Sequence, residues 1–155
     1  MAESRACPAS MCQELLPERL REEVCRAVRH RLPLAVVMFH LNECREVEPT
    51  LDALTRAAAR LTRAVVRGSD IVGLLGRGEF AVVANTTPEG AGTLAEHVVR
   101  HLQAFEFTCA DGPAPVRLRY ALSQLSDCKT ADDLLAEARA ALGPAPPSAP
   151  SPSVP

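Results

Sequence analysis

Three short groups of residues have types and spacing that could do chemistry. Gly76-Arg77-Gly78-Glu79-Phe80 places one guanidinium and one carboxylate in a glycine-bearing turn, between the apolar runs Ile71–Leu75 and Ala81–Ala84. Two such runs around a glycine turn predict a β-hairpin with a polar tip. Just upstream, Arg67-Gly68-Ser69-Asp70 sets an arginine fork, able to grip a phosphate, three residues from a carboxylate that can accept N–H donors. The same four residues also suit a plainer role, an arginine at a helix end and ordinary turn chemistry leading into a strand. His97 and His101 stand four apart on one helix face. A metal site needs clustered ligands, and no third ligand stands nearby, so no metal is expected there.

The elements that must position these groups follow from apolar spacing. Leu16, Leu20, Val24 and Val28 predict a helix with Pro17 in its first turn, stopped by Pro33. Leu34 to Leu41 is an almost unbroken apolar run, as expected of a buried central strand. A second helix is predicted from about Thr50 to Val66, with Leu51, Leu54, Ala58, Leu61 and Val65 as its stripe. The hairpin follows, and then Thr87-Pro88-Glu89 gives an N-cap, a proline at the first helical position and an early acid. That helix buries Leu94, Val98, Leu102 and Phe105, although Gly90 and Gly92 weaken its first turn. Val116, Leu118, Tyr120 and Leu122 alternate as a strand with one buried face. Thr130 and Asp133 resemble a capping box ahead of a last helix, Ala131–Leu142, which Gly143 ends. The β-α-β-β-α-β order, with helices on one side of a mainly antiparallel sheet, describes a ferredoxin-like α+β domain. Residues 1–12 are expected to be a flexible N-terminus, 13–142 one domain, and 143–155 a disordered Pro/Ala/Ser tail.

Composition limits the function further. The chain has 155 residues, 47% of them hydrophobic, yet only four Phe, one Tyr and no Trp, so its core must be aliphatic. A formal charge of −2 argues against nucleic acid, whose phosphates need concentrated basic surface. Arg19 to Arg31 is locally basic, but Glu22 and Glu23 interrupt it, as on a solvated helix face. The start lacks a leader-like apolar segment and no stretch reaches membrane-spanning length, so a cytoplasmic protein is expected. The six cysteines, at 7, 12, 25, 44, 109 and 128, form no CxxC pair and read as small apolar residues or free thiols in a reducing compartment.

The string Gly76-Arg77-Gly78-Glu79-Phe80 resembles the signature of the GGDEF family, the diguanylate cyclase domains that make cyclic di-GMP from two GTP molecules. The first glycine, the glutamate and the phenylalanine are kept. The second glycine has become Arg77 and the acidic third position Gly78. Further resemblance lies in Leu16-Pro17-Glu18-Arg19, in the strand Leu34–Asn42, and in Val116–Leu122, so that it spans about residues 13 to 142. The predicted order of elements is also that of the GGDEF fold.

What the resemblance implies about catalysis is loss. Active members hold two metal ions with carboxylates at the end of the first strand and in the signature loop. Here those positions are His40 and Gly78, with Asn42 at the second acidic place of the strand. Magnesium demands oxygen ligands, and Glu79 alone cannot hold two such ions against water. The guanine-binding segment is short, Cys44 to Leu51, with Asp52 as the nearest match to the family's acid. The expectation is a protein that is not an enzyme and needs no cofactor or magnesium.

The resemblance also implies a ligand. Many cyclases carry an inhibitory R-x-x-D site for their product just upstream of the signature, and Arg67 to Asp70 occupy that place. An arginine fork reads phosphate or the guanine acceptor edge, and the aspartate accepts from guanine N–H groups. The family often adds an arginine from the next helix, where this chain has His97, with Arg100 one turn on. Two functions are open. One is a cyclic di-GMP receptor using Arg67, Asp70, His97 and Arg100 that signals through another cytoplasmic protein. The other is an interaction or scaffold module that keeps the fold without a nucleotide. Since only about ten residues precede the family region, no sensor or output domain is expected in the chain under either reading. Arg77 could serve as a partner contact. The free protein is expected to be a monomer or weak dimer.

Overall fold

The structure, a computed structural model, describes residues 8–43, 48–76, 78–105, 108–109, 112–113, 116–126 and 129–143. Arg77, the Cys44–Val47 part of the guanine segment and the tail from Pro144 lie outside the described residues. Among the described residues, four helices, α1 (Pro8–His30), α2 (Glu48–Val65), α3 (Pro88–Ala104) and α4 (Ala131–Leu142), accompany six strands. Four of these, β1 (Ala35–Glu43), β2 (Ile71–Gly76), β3 (Glu79–Ala84) and β6 (Val116–Gln124), make one sheet in the order β2-β3-β1-β6. Every pairing in it is antiparallel. β4 (Thr108–Cys109) and β5 (Gly112–Pro113) form a separate small hairpin that no apolar alternation announces. The main sheet and its crossovers give the expected ferredoxin-like α+β order.

The helices do not all lie on one side. Val37, Phe39 and Leu41 of β1 pack with Val82 of β3, Leu54 and Ala58 of α2, and Ala95, Val98 and Leu102 of α3. The alternate residues Val36, Ala81 and Val83 pack with Leu16, Leu20 and Val24 of α1 and Leu134 of α4. Successive strand residues point to opposite faces, and both sets in the central strands are apolar, so both faces must be covered. The two crossover helices cover one face. The flanking helices α1 and α4 cover the other.

Local signals in the sequence set several boundaries. The Thr87 side chain accepts from the Gly90 N–H at 3.2 Å, with Pro88 at the first helical position. Thr130 and Asp133 form a complete capping box, at 3.1 and 2.9 Å, and Gly143 ends α4 with φ 78°. Other expectations need correction. α1 begins at Pro8, and Pro17 lies in its interior. Leu16 and Leu20, both buried beside Pro17, hold the helix on the sheet across the backbone bond that proline cannot donate. Val28 is 63% exposed, and Ala27 takes its place in the core. The reason is helical phase: eleven residues from Leu16 return to about the same face, whereas twelve overshoot it by about 120°.

Phe105 is likewise on the surface, because α3 ends at Ala104 and Phe105 is its extended C-cap residue (φ −90°, ψ 136°). In β6, Leu118 and Leu122 are half-buried and Tyr120 is exposed, while Ala121 and Ser123 on the opposite face are buried. As an edge strand under helices on both sides, β6 has no single buried face.

Candidate functional site

The signature residues are mostly strand. Gly76 closes β2, Glu79 and Phe80 open β3, and a register irregularity falls between Leu74 and Gly76. Gly78 turns the chain with φ 75°, a conformation that glycine adopts freely, and its carbonyl accepts from the Leu41 N–H at 2.6 Å. Phe80 is fully buried and stacks on Phe39 with ring centroids 5.0 Å apart. The retained phenylalanine is therefore a core residue.

Pairing in the sheet lines up Glu79, His40 and Arg119 across β3, β1 and β6, on the face covered by α4. Glu79 Oε1 lies 3.0 Å from Nη2 of Arg139 on α4, and Oε2 lies 3.7 Å from Nδ1 of His40. Glu79 and His40 are only 21% and 15% exposed. Arg119 donates Nη1–H to the Leu142 carbonyl at 2.7 Å and so caps the end of α4, while its buried Nε has no hydrogen-bond partner. Where the resemblance implies metal carboxylates, one carboxylate is held between a guanidinium and an imidazole. Neither neighbour offers oxygen, and the Arg139 guanidinium beside Glu79 repels a further cation. This donor set does not fit two magnesium ions. Among the described residues, no group of three or more His, Cys, Asp or Glu side chains is placed to hold a metal.

A second feature lies on the α2/α3 face. The end of α2, the turn after it and the first half of α3 enclose a cavity of ≈370 Å3. Arg67, Asp70 and His97 line it, with Thr86 and Thr93 as further polar groups and Val66, Leu94 and Val98 as apolar wall. Arg100 is exposed and does not line the cavity. The structure thus brings together three of the four residues expected to bind ligand.

Asp70 is 5% exposed. Its Oδ2 accepts from the Arg67 backbone N–H at 3.0 Å, and its own N–H donates to the Arg67 carbonyl at 3.1 Å. Oδ1 takes no hydrogen bond among the described residues, which leaves it able to accept from a ligand. Arg63 braces the turn, donating to the carbonyls of Asp70, at 2.6 Å, and Arg67. Arg67's own guanidinium is left exposed at the rim. A Cβ added at Gly90 would lie 2.0 Å from the Thr86 hydroxyl, so the Thr86 side chain would have to shift.

Sequence reasoning missed Arg63 and Arg139. Arg63 carried a signal, an arginine in the last turn of a helix four residues before another. Arg139 carried none, since its partner Glu79 is distant in the chain.

The antiparallel sheet with its crossover helices and the signature residues at the β2–β3 hairpin is the arrangement of a GGDEF-type fold. The family model described as diguanylate cyclase, GGDEF domain, matches residues 12–147, and the chain belongs to the GGDEF family. No curated protein sequence matches it. Its fold is similar to that of the GGDEF domain of YfiN (TpbB) from Pseudomonas aeruginosa, with a TM-score of 0.70 and 25% identity over 83% of this chain and 85% of that one. It is also similar to the diguanylate cyclase SiaD of the same organism, solved in complex with its activator SiaC (TM-score 0.74, 24% identity). That match covers 84% of this chain, which spans about half of SiaD, 52%. DgcB from Caulobacter crescentus, solved as a coiled coil and GGDEF domain with cyclic di-GMP, has a TM-score of 0.73 at 12% identity, over 84% of this chain and 73% of that one. Among the described residues, no helix is long and apolar enough to cross a membrane.

Proposed function

We propose that this GGDEF domain has lost cyclase activity and acts as a cytoplasmic cyclic di-GMP receptor that signals through a protein partner. The observation that carries the reading is the shared cavity of Arg67, Asp70 and His97. Arg67 offers a phosphate- or guanine-reading fork at the rim, Asp70 Oδ1 an acceptor for guanine N–H groups, and His97 a further polar wall. Arg100 stands outside the cavity, where it adds positive charge. The apolar wall suits the face of a base. The inactivity rests on the signature end, where Glu79 is engaged by Arg139 and Gly78 offers no ligand. DgcB with cyclic di-GMP and SiaD with its activator are relatives of the same fold in the two kinds of complex this reading requires.

Titration calorimetry with cyclic di-GMP, GTP and GDP tests the receptor role, with heat expected for cyclic di-GMP alone. With GTP and magnesium or manganese, the protein is expected to form no cyclic di-GMP. His40→Asp combined with Gly78→Asp is expected to stay inactive, and turnover by that double variant would refute the account of the signature end.

One observation favours the alternative, a nucleotide-independent interaction module. Asp70 already spends Oδ2 on the Arg67 N–H, so the turn is complete without a ligand. Absence of heat at high cyclic di-GMP concentration would select this second function.

A further inference from the structure

The charged and titratable side chains that meet at the cavity differ in what pH does to them. Asp70 is buried in the turn, Arg67 stands exposed at the rim, and His97 lines the wall from α3. Between about pH 5 and 8 a guanidinium stays charged and an ordinary carboxylate stays ionised, whereas an imidazole gains or loses its proton. The charges of Arg67 and Asp70 offset each other, so the proton on His97 decides whether the lining is net positive. The surroundings leave that control to His97. From α2, Arg63 brings a guanidinium toward the turn, but it donates to the Asp70 and Arg67 carbonyls and does not line the cavity. β1 and β6, which also pack against α3, contribute no lining residue among those described, and β3 contributes only Ala84. On α3 itself, Glu96 precedes His97, and Arg100 and His101 follow one turn on. All three are exposed and outside the cavity.

We infer that His97 makes this cavity a pH-dependent site, one that holds cyclic di-GMP tightly when the imidazole is charged and weakly when it is neutral. The inference rests on the receptor reading and adds regulation to it. The phosphodiesters of the ligand stay anionic over this range. An anion beside an imidazole favours its charged form, so binding takes up a proton and a proton strengthens binding. The sign follows directly. Affinity is highest below neutral pH and falls as pH rises through the titration of the imidazole. An arginine at the same place would keep its charge throughout and bind without regard to pH. The other described histidines are badly placed to act. His40 lies on the α1/α4 face beside Glu79, His30 ends α1, and His101 is outside the cavity.

The test is calorimetry of the full chain with cyclic di-GMP at constant ionic strength, from about pH 5.5 to about pH 8.5. The parent is expected to bind about tenfold more tightly at the acid end. Near neutral pH its binding heat is expected to vary with the ionisation enthalpy of the buffer, the sign of proton uptake. H97R is expected to bind tightly and equally at both ends, and H97Q weakly and equally. H101Q is expected to keep the pH dependence of the parent. Parent binding that is flat in pH and takes up no proton would overturn the inference and leave the receptor reading standing. A pH dependence that persists in H97Q would overturn it as well. Absence of heat at every pH would remove the receptor reading and the inference together.

Discussion

The two faces of the sheet place their charges differently. On the α1/α4 face two ion pairs link elements: Arg139 reaches from α4 to the hairpin through Glu79, and Arg21 reaches from α1 to α4 through Asp132. On the α2/α3 face, Arg60, Arg67 and Arg100 enter no ion pair among the described residues, and a cavity opens beside Arg67. Within the signature, the Glu79 side chain lies on the first face and Phe80 on the second, packed on Phe39, and the R-x-x-D segment borders the cavity on the second. Glu79 of the signature is engaged by Arg139, while Arg67 upstream of it stays at the surface. The surroundings of a motif residue differ between the two faces.

If that division is right, substitutions near the signature should change stability and those near the cavity should change binding. The largest effect is expected for Phe80→Ala. Loss of a fully buried ring stacked on Phe39 should cost about 3–5 kcal/mol in denaturant unfolding. A cost under 1 kcal/mol would show that the hairpin is not part of the core. Next is Arg67→Ala, which should weaken cyclic di-GMP binding by about 1.5–3 kcal/mol in calorimetry and leave the denaturation midpoint nearly unchanged. Unfolding of this variant would place Arg67 in the structural class and blur the comparison.

Removing the Glu79 carboxylate tests the other face at a smaller scale. With Arg139 half exposed, Glu79→Gln should cost about 0.5–1.5 kcal/mol, and a double-mutant cycle with Arg139→Ala should recover most of it as coupling. Zero coupling would mean that the pair contributes nothing to holding α4. The smallest effect concerns two glycines of α3. A Cβ at Gly92 meets nothing within 4 Å, so Gly92→Ala should raise stability by about 0.5–1 kcal/mol. Gly90→Ala should forfeit that gain against Thr86. Equal gains at both positions would show that the approach of Thr86 yields without cost.

Much of this architecture was legible because its signals are local. Thr87-Pro88, the Thr130/Asp133 box and the runs flanking the hairpin act within a few residues, and each appears where the sequence places it. Arg67, Asp70 and His97 came together only through the family resemblance, and the three line one cavity. What could not be read depends on contacts across the chain. Arg139 meets Glu79 only because α4 lies over the hairpin. Val28 and Phe105 are apolar but fall, respectively, out of helical phase and past a helix end. Helices on both faces follow from the apolar residues at consecutive positions of β1, a pattern consistent with a central strand but silent on which helix covers which side.

The position of β1 in the sheet also sets an order of events during synthesis. Ala35 pairs with Gln124 and Glu43 with Val116, so one whole side of this apolar strand waits for residues made roughly 80 positions later. At a translation rate of about 5–20 residues per second, that is a delay of about 4–16 seconds. Through that interval the nascent chain holds an unsatisfied strand edge, and a ribosome stalled before Val116 leaves it open to pairing with another chain.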